Sequence, residues 1–490
     1  KRKMTKIRTR FAPSPTGYMH IGNLRTALYC YLIAKHQGGD FILRIEDTDQ
    51  NREVEGATQL IYDILTETGL NWDEGPDIGG DFGPYVQSER LPMYKGYAEE
   101  LIKLGGAHYC FCSEEEIEAQ RKEAESLGIS FKFNDPCKHL SAEEVQAKLD
   151  AGEPYVIRQT IKNVGETYFD DEVYGRIEVD GDVLDEQILI KSDGYPTYNF
   201  ANIIDDHQMQ ISHVVRGNEY LSSTPKYNLI YDAYGWERPT YVHVPPVMKD
   251  EHHKLSKRNG DASFQDLVAK GYLPDAIMNY IALLGWAPET EQEIYTLDEL
   301  IKVFNIHRIS KSPAIFDIDK LTWMNGVYLR NMDEESYYET VRPYLEKAVH
   351  GPYNLKEIAK IIQPRIDILN QIEESVDFFD TLVDYDLEMY RHKKMKTTPE
   401  VALKALKASK QTLEAFDQWD SMDALHECLL ALPKELEMKN GQVLWPIRTA
   451  VSGKQFTPGG AIEIAFILGK DETLRRIQVG IDRLSEIVEE

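Results

Sequence analysis

The first fifty residues alternate between strand-like and helix-like patterns of apolar positions. Residues 7–11 predict a buried strand, and the proline and glycine residues at positions 13–17 end it. Residues 41–45 predict a second strand. Between them, apolar side chains recur at helical spacing and predict a helix with one face against a core. They are Leu24, Ala27, Leu28, Tyr31 and Leu32. Strand, helix and strand in this order predict a βαβ unit of a parallel sheet.

The pattern changes twice further along the chain. Residues 186–234 predict a second α/β segment, with strand-like apolar residues at 187–190 and 214–215. An acidic, cysteine-containing stretch lies before this segment and predicts an insertion into the α/β fold. Beyond about residue 340 the apolar positions follow a helical period, with Pro364 as a break, so we expect an all-α C-terminal region. Examples are Leu403, Leu406, Leu413 and Phe416.

Composition and charge narrow the class of protein. The 490 residues carry a net charge of −27, which excludes a uniformly basic nucleic-acid coat, and 42% hydrophobic residues are typical of a globular protein. Basic residues are nevertheless concentrated: residues 1–52 and 391–410 each have a net charge of +6, while residues 53–86 have −8. Local basic surfaces can therefore still bind a polyanion. Without a long apolar run or a signal-peptide core, we expect a cytoplasmic protein with no membrane segment.

A histidine motif opens the first predicted helix. His20 and Gly22 come directly after the loop at positions 13–17. The backbone N–H groups at a helix start attract anions, a histidine there can donate to a phosphate, and a glycine lets a nucleotide approach. Taken alone, the motif is a weak signal, because a histidine at a helix start is more often a cap or a surface residue.

A cationic loop is the second candidate. Residues 254–258 contain three cations, and such a cluster can neutralise the charge that develops on a transferring phosphoryl group or on leaving pyrophosphate. The alternative is a solvated charged loop, which short basic runs usually form.

Together, these motifs resemble class I aminoacyl-tRNA synthetases, and specifically the glutamyl-tRNA synthetase family. Residues 20–23 resemble the HIGH motif of that class, and residues 254–258 resemble its KMSKS loop. The further matching segments are residues 10–19, 44–49, 192–198, 205–207, 323–326 and 444–448. Because these segments span the chain from residue 5 to about 470, chance similarity is a poor explanation.

The resemblance implies a two-step reaction that uses ATP and Mg²⁺. Glutamate and ATP give glutamyl-adenylate and pyrophosphate, and the terminal ribose of tRNA-Glu then takes the glutamyl group; in this family the first step also requires bound tRNA. The residues at catalytic positions are His20, Lys254 and Lys257. The residues at ATP-binding positions are His20, Gly22, Asn23, Lys254, Ser256, Lys257 and Arg258.

The resemblance also implies a pocket for L-glutamate. Arg10 and Arg216 match positions that hold the carboxylates of the amino acid, and Glu46 matches the partner of its ammonium group. The remaining pocket positions are Ala12, Ser14, Tyr198 and Asn202. Two alternatives stay open from the residues alone: Arg10 could simply pair with Glu46, and Tyr198 could belong to the core. Paired arginines would also reject glutamine, whose neutral amide leaves a guanidinium uncompensated.

A cysteine cluster predicts a structural zinc site. Cys110 and Cys112 are followed after 24 residues by Cys137 and His139. Three thiolates and an imidazole suit tetrahedral Zn²⁺, and some bacterial members of the family carry this spacing. Reduced, merely buried cysteines are the alternative, since other members lack the metal.

In the C-terminal half, Arg365 resembles the residue through which discriminating members of the family recognise the anticodon, although an arginine after a proline is often a surface residue. We expect a monomer that charges tRNA-Glu; a non-discriminating enzyme that also charges tRNA-Gln is the alternative. The other rivals are a glutaminyl enzyme, a shortened paralogue and a catalytically inactive tRNA-binding scaffold.

The expected domains are a Rossmann-like catalytic core (1–91 and 199–248), an inserted acceptor-binding domain (92–198), a stem-contact domain (249–335) and two helical anticodon-binding domains (336–395 and 396–490).

Overall fold

The structure is a computed structural model that describes residues 6–49, 54–162, 164–256, 260 and 262–488. The chain divides into two compact units. One comprises Lys1–Leu267 and Ile277–Asp317, and the other comprises Val268–Ala276 and Ile318–Glu490. The first unit contains the strands, and the second is helical. Among the described residues, no helix is both long enough and apolar enough to cross a membrane.

The strands all lie in the first unit. They are β1 (Arg8–Phe11), β2 (Asp40–Leu43), β3 (Ala107–Cys110), β4 (Val156–Gln159), β5 (Glu166–Asp171), β6 (Gly175–Asp180), β7 (Ile188–Ile190), β8 (His213–Gly217), β9 (Thr240–Val244), β10 (Val247–Met248) and β11 (Ala314–Ile315).

The helices are distributed over both units. Up to residue 303 they are α1 (Ile21–His36), α2 (Ala57–Glu67), α3 (Leu91–Lys103), α4 (Glu114–Ser126), α5 (Ala142–Asp150), α6 (Tyr198–Gln208), α7 (Thr224–Tyr234), α8 (Phe264–Ala269), α9 (Pro274–Ala282) and α10 (Leu297–Val303). Beyond it they are α11 (Ile318–Asn331), α12 (Glu334–Ala348), α13 (Leu355–Ile362), α14 (Ile372–Val376), α15 (Pro399–Ala415), α16 (Met422–Glu435), α17 (Asn440–Ser452), α18 (Ala461–Leu468) and α19 (Lys470–Ile487).

Parallel strands form the base of the first unit. β1 pairs with β2 in parallel, with Arg10 opposite Ile42, and β8 pairs with β9 in parallel, with Val215 opposite Val242. Ser212, just before β8, donates its backbone N–H to the carbonyl of Arg8 at 2.9 Å and so brings β8 beside β1. The predicted βαβ unit is therefore present. The carboxyl ends of β1 and β8 point to the same edge, where open α/β folds bind their ligands.

The first helix is buried more completely than its sequence pattern suggested. We expected one apolar face, but 11 of the 16 residues of α1 are buried. The sheet covers part of its surface, and α10 packs against another part. A helix that is enclosed in this way holds its N-terminus in a fixed place at the edge of the sheet.

The insertion is built mainly from antiparallel strands. β3, β4 and β7 form a three-stranded antiparallel sheet, and β5 and β6 form a hairpin. β7 corresponds to the apolar residues 187–190, which belong both to the expected α/β segment (186–234) and to the expected insertion (92–198); it pairs with β4 of the insertion. A three-residue apolar run is too short to specify its pairing partner.

The second unit confirms the helical C-terminal region. α13 ends at Ile362, just before the break expected at Pro364, and α15 contains the predicted apolar positions up to Leu413. Asn354 and Thr398 cap the N-termini of these helices by accepting backbone N–H groups. The buried faces join one apolar core that extends from Leu329 to Leu484.

Candidate active site

A cavity of about 510 Å³ opens at the carboxyl edge of the parallel strands. Its wall includes seven of the predicted site residues. They are Arg10, Ala12, Ser14, Asn23, Glu46, Tyr198 and Arg216. Tyr198 is 46% exposed, so the alternative that it belongs to the core is wrong. Asn202 lies behind the wall, where it contacts Arg10 and Glu46.

His20 caps the helix that begins beside this cavity. Its Nδ1 accepts a hydrogen bond from the N–H of Gly22 at 2.9 Å, and its Nε2 lies 2.9 Å from the carbonyl oxygen of Leu255. Because Nδ1 is an acceptor, the neutral ring carries its proton on Nε2 and donates it to Leu255. The helix-capping alternative is therefore correct, and it leaves an N–H donor on the side of the cationic loop.

The described part of the cationic loop lies next to this histidine. Lys254 and Ser256 are exposed and flank buried Leu255, whereas Lys257 and Arg258 lie outside the described residues. After the loop, the carbonyl of Ala262 accepts the N–H of Ile21 at 2.8 Å. The two sequence motifs, which are more than 230 positions apart, are thus neighbours in the fold.

Arg10 is held by an acidic residue that the sequence analysis had not assigned. Its Nε donates to Oδ1 of Asp206 at 2.8 Å and its Nη2 donates to Oδ2 at 3.1 Å. Arg44 donates to the same Oδ1 at 2.8 Å. The suggested pairing of Arg10 with Glu46 is therefore replaced by a bidentate pair with Asp206, and Glu46 pairs with Arg44 instead at 3.1 Å.

Glu46 presents an unsatisfied carboxylate oxygen at the cavity wall. Its Oε1 accepts from Arg44 and from Asn202 Nδ2 at 3.1 Å each, but its buried Oε2 has no hydrogen-bond partner. Burial raises the pKa of Glu46 to about 7, with Asp205 and Asp206 adding to the increase and Arg44 and Arg10 opposing it. A cationic donor in the cavity would satisfy this oxygen.

Arg216 has a different environment from that of Arg10. Its Nε donates to Nε2 of His243 at 3.2 Å, and its Nη2 donates to the hydroxyl of Thr224 at 3.0 Å. The guanidinium carbon lies 5.0 to 5.3 Å from the ring centres of Tyr220, Tyr227 and Tyr241. Within the described part of the chain, no carboxylate lies within 4.0 Å of its nitrogens. Its positive charge is thus available to an anion in the cavity.

The cysteine cluster forms, but with a different fourth member. The sulfur atoms of Cys110, Cys112 and Cys137 and a carboxylate oxygen of Asp135 all lie within 4.8 Å of one another. His139 is exposed and is absent from this group. The structure therefore brings together the three cysteines of the expected set, with Asp135 beside them. Three soft sulfur atoms and one oxygen still suit Zn²⁺.

The surroundings of the cluster keep a thiol protonated and hold the carboxylate in place. Burial and a hydrogen bond to Asp135 raise the pKa of Cys110 to about 11, so a metal would have to displace the thiol protons. Asp135 is completely buried, and its Oδ2 lies 2.7 Å from Nε2 of His108. This contact orients the carboxylate, as outer partners of metal ligands commonly do.

In the second unit, Arg365 is exposed just after α13. Burial and the charge of nearby Arg365 lower the pKa of Arg448, whose guanidinium carbon lies 4.3 Å from the ring centre of Trp445. Two motifs singled out in the sequence therefore meet here.

Comparisons with known proteins agree with this arrangement. The family model described as tRNA synthetases class I (E and Q), catalytic domain, matches residues 6–323, and the model described as anticodon binding domain matches residues 336–481. A glutamate–tRNA ligase of Clostridium botulinum is 60% identical over 482 residues, which are 98% of this chain and 99% of that protein. The corresponding ligase of Clostridium tetani is 58% identical over 479 residues, 98% of each chain.

A solved structure extends the agreement to the fold. The crystal structure of a glutamate tRNA ligase from Elizabethkingia meningosepticum in complex with its amino acid has a TM-score of 0.88 and 35% identity, and covers 98% of this chain and 100% of its own. The fold is that of the class I tRNA synthetases, with a Rossmann-like catalytic core. Within that class, the chain belongs to the family of the glutamate (E) and glutamine (Q) tRNA synthetases. The family assignment made from the motifs is thus confirmed.

Proposed function

We propose that this protein ligates L-glutamate to tRNA-Glu in two steps. A carboxylate oxygen of glutamate attacks the α-phosphorus of ATP, which forms glutamyl-adenylate and releases pyrophosphate. A ribose hydroxyl of the terminal adenosine of the tRNA then takes the glutamyl group and AMP leaves. The names of the relatives at 60% and 58% identity support this proposal, and the charge pattern of the cavity wall carries it.

That pattern complements the three charges of glutamate. Arg10 and Arg216 offer guanidinium groups for two carboxylates, and Oε2 of Glu46 offers an acceptor for the ammonium. An unpaired charge in a closed pocket is costly, so a ligand that satisfies all three groups is favoured. Glutamine would leave one guanidinium without an anionic partner, which supports a preference for glutamate over glutamine.

The proposed roles at the ATP end follow from the two motifs. His20 donates Nε2–H to a phosphate oxygen in place of the Leu255 carbonyl. At the N-terminus of α1, Gly22 lets the nucleotide approach the backbone, and Asn23 adds a donor. Lys254 and Lys257, with Ser256 and Arg258, hold the phosphates and stabilise the charge on leaving pyrophosphate. Mg²⁺, brought with ATP, would neutralise further phosphate charge.

Pyrophosphate exchange tests the proposed reaction. We expect exchange that requires L-glutamate and tRNA-Glu together and that glutamine does not support. Lys257→Ala should lower the exchange rate by orders of magnitude and leave tRNA affinity nearly unchanged, because the lysine acts on the transition state rather than on tRNA. No exchange with any tRNA would contradict the proposal, and an active Lys257→Ala enzyme would contradict the role of the lysine.

We further propose that the cysteine cluster binds one structural Zn²⁺ through Cys110, Cys112, Cys137 and Asp135. Metal analysis of the freshly purified protein should find about one zinc per chain. Cys137→Ser and Asp135→Ala should each lose it, whereas His139→Ala should keep it. Zinc that is absent and is not restored on reconstitution would overturn the site; zinc lost from His139→Ala but not from Asp135→Ala would restore the original ligand set.

The tRNA contacts complete the proposal. The anticodon binding domain recognised over residues 336–481 and the exposed cationic residue Arg365 support recognition of tRNA-Glu. We propose a cytoplasmic monomer that discriminates against tRNA-Gln, with the finer division into catalytic, acceptor-binding, stem-contact and anticodon-binding domains given above. Aminoacylation of purified tRNA-Glu and tRNA-Gln side by side tests the discrimination; equal charging of both would favour the non-discriminating alternative.

A further inference from the structure

Arg216 is oriented by two side-chain hydrogen bonds, one of which is to a buried histidine. Its Nε donates to His243, its Nη2 donates to Thr224, and its Nη1 has no hydrogen-bond partner among the described residues. The tyrosine rings around it attract the guanidinium but fix no direction for its N–H groups. The hydrogen bonds from Nε to His243 and from Nη2 to Thr224 therefore together determine which edge of the guanidinium faces the cavity.

His243 can accept this hydrogen bond in one tautomer only. Its Nδ1 lies 2.5 Å from Oδ1 of Asp171, and both side chains are completely buried. Because a carboxylate only accepts, Nδ1 carries the proton, and the lone pair of Nε2 points to Arg216. Burial lowers the pKa of His243, although the hydrogen bond to Asp171 opposes this, and a neutral ring avoids a second cation beside Arg216.

Asp171 is itself fixed by backbone donors. It ends β5, and its Oδ1 also lies 3.2 Å from the N–H of His243. Its Oδ2 accepts from the N–H groups of Val173 and Tyr174 at 3.0 and 2.9 Å. Each oxygen thus faces two donors, so the carboxylate has one orientation and imposes one tautomer on the imidazole.

We propose that Asp171 and His243 are positioning residues that orient Arg216 toward a carboxylate group of the amino-acid substrate. The inference rests on the proposed function, because it assigns Arg216 to that carboxylate. The chain of contacts runs from Asp171 through the tautomer of His243 to Nε of Arg216, and it leaves Nη1 for the substrate. Neither positioning residue contacts the substrate. This chain of contacts from Asp171 to Arg216 therefore affects amino-acid binding and not ATP binding.

Two substitutions of His243 distinguish the loss of the hydrogen-bond acceptor from effects of side-chain volume and of folding. In His243→Gln, the side-chain carbonyl can still accept from Nε of Arg216, whereas His243→Leu has similar volume but no acceptor. We expect His243→Leu to raise KM for glutamate by about tenfold, with KM for ATP changed by less than about threefold. His243→Gln should recover most of the glutamate affinity. Val242→Ala, a buried neighbour on β9, should lower thermal stability without changing KM for glutamate.

The outcomes distinguish the two proposals. If the wild-type protein shows no exchange with glutamate and tRNA, the proposed function fails. If the wild type is active and His243→Leu keeps the wild-type KM for glutamate, the positioning role of His243 is refuted. The same holds if His243→Gln is impaired as severely as His243→Leu.

A measurement on the wild-type protein covers the case in which His243→Leu does not fold. In ¹⁵N-histidine NMR spectra, the ring signals that disappear in His243→Gln belong to His243. They should report a neutral ring with its proton on Nδ1. A proton on Nε2, or a doubly protonated ring, would overturn the proposal.

Discussion

At the scale of single residues, the site is built from buried charges that satisfy one another incompletely. Asp206 is shared by Arg10 and Arg44, and their charges hold its pKa below the usual value against the effect of burial. Glu46 is left with one oxygen unpaired. Desolvating these groups costs free energy, and a ligand with complementary charge recovers part of it. We therefore expect the incomplete pairing to favour the charged amino acid of the proposed function.

The raised pKa of Glu46 predicts a pH-dependent affinity for glutamate. With a pKa of about 7, Glu46 is a carboxylate above neutral pH and accepts the substrate ammonium; it is protonated below neutral pH and loses this interaction. Glutamate keeps its side-chain charge over this range. KM for glutamate should therefore rise about tenfold between pH 8 and pH 6, while KM for ATP changes little.

Glu46→Gln serves as the control for this titration. Its amide does not ionise, so KM for glutamate should be raised at every pH and should lose its dependence between pH 6 and pH 8. A wild-type KM that stays flat over the same range, or a Glu46→Gln enzyme with the wild-type profile, would contradict the assignment of the ammonium to Glu46.

At the scale of elements, the sequence predicts those helices and strands whose pattern is long or whose ends carry a capping residue. The βαβ unit and α15 belong to this group. The partner strand of β7 was not predicted, because a three-residue apolar run carries no information about its partner. The contacts that hold the site residues were not predicted for a related reason. Arg10 and Asp206 are 196 positions apart in the sequence, and His243 and Asp171 are 72 positions apart. No local pattern connects such pairs.

Arg476 connects several elements of the second unit, and we expect it to contribute strongly to the stability of that unit. This completely buried arginine on α19 donates to the carbonyls of Phe378, Phe379 and Val451 at 2.6 to 2.9 Å and pairs with Glu472. Arg476→Met leaves these acceptors without a donor and should cost about 3 to 5 kcal/mol, because buried unsatisfied groups are expensive. Thermal unfolding of the full chain, followed by circular dichroism, should show an earlier transition of the helical unit.

The neighbouring arginine provides the matched control for this variant. Arg475 also pairs with Glu472, but it lies at the surface. Arg475→Met should therefore change the unfolding free energy by less than about 1 kcal/mol. Equal destabilisation by the two variants would show that the pair with Glu472, and not the three carbonyl contacts, is what matters.

At the scale of the whole molecule, a net charge of −27 has to be reconciled with an RNA substrate. Local cationic surfaces resolve the conflict, because charges beyond about 10 Å are largely screened. Seven of the residues predicted from the motifs lie together at the wall of one cavity, because each belongs to a short segment that the sequence pattern can single out. The motifs did not reveal what holds those residues, such as Asp206, or that Asp135 lies beside the three cysteines, since those contacts depend on the completed fold.

Recognition of tRNA by the second unit gives the last prediction. Glutamate and glutamine codons differ only in their first base, so the two tRNAs differ at the matching anticodon base, and an arginine can read one base edge by paired hydrogen bonds. Arg365 is exposed beside Arg448 and is available for this contact. Arg365→Gln should reduce the ratio of kcat/KM for tRNA-Glu to that for tRNA-Gln by about tenfold. The control is Arg342→Gln on α12, where the arginine pairs with Glu339 and Glu346 and its loss should leave the ratio unchanged. A ratio that stays constant in Arg365→Gln would refute the role of this residue in discrimination.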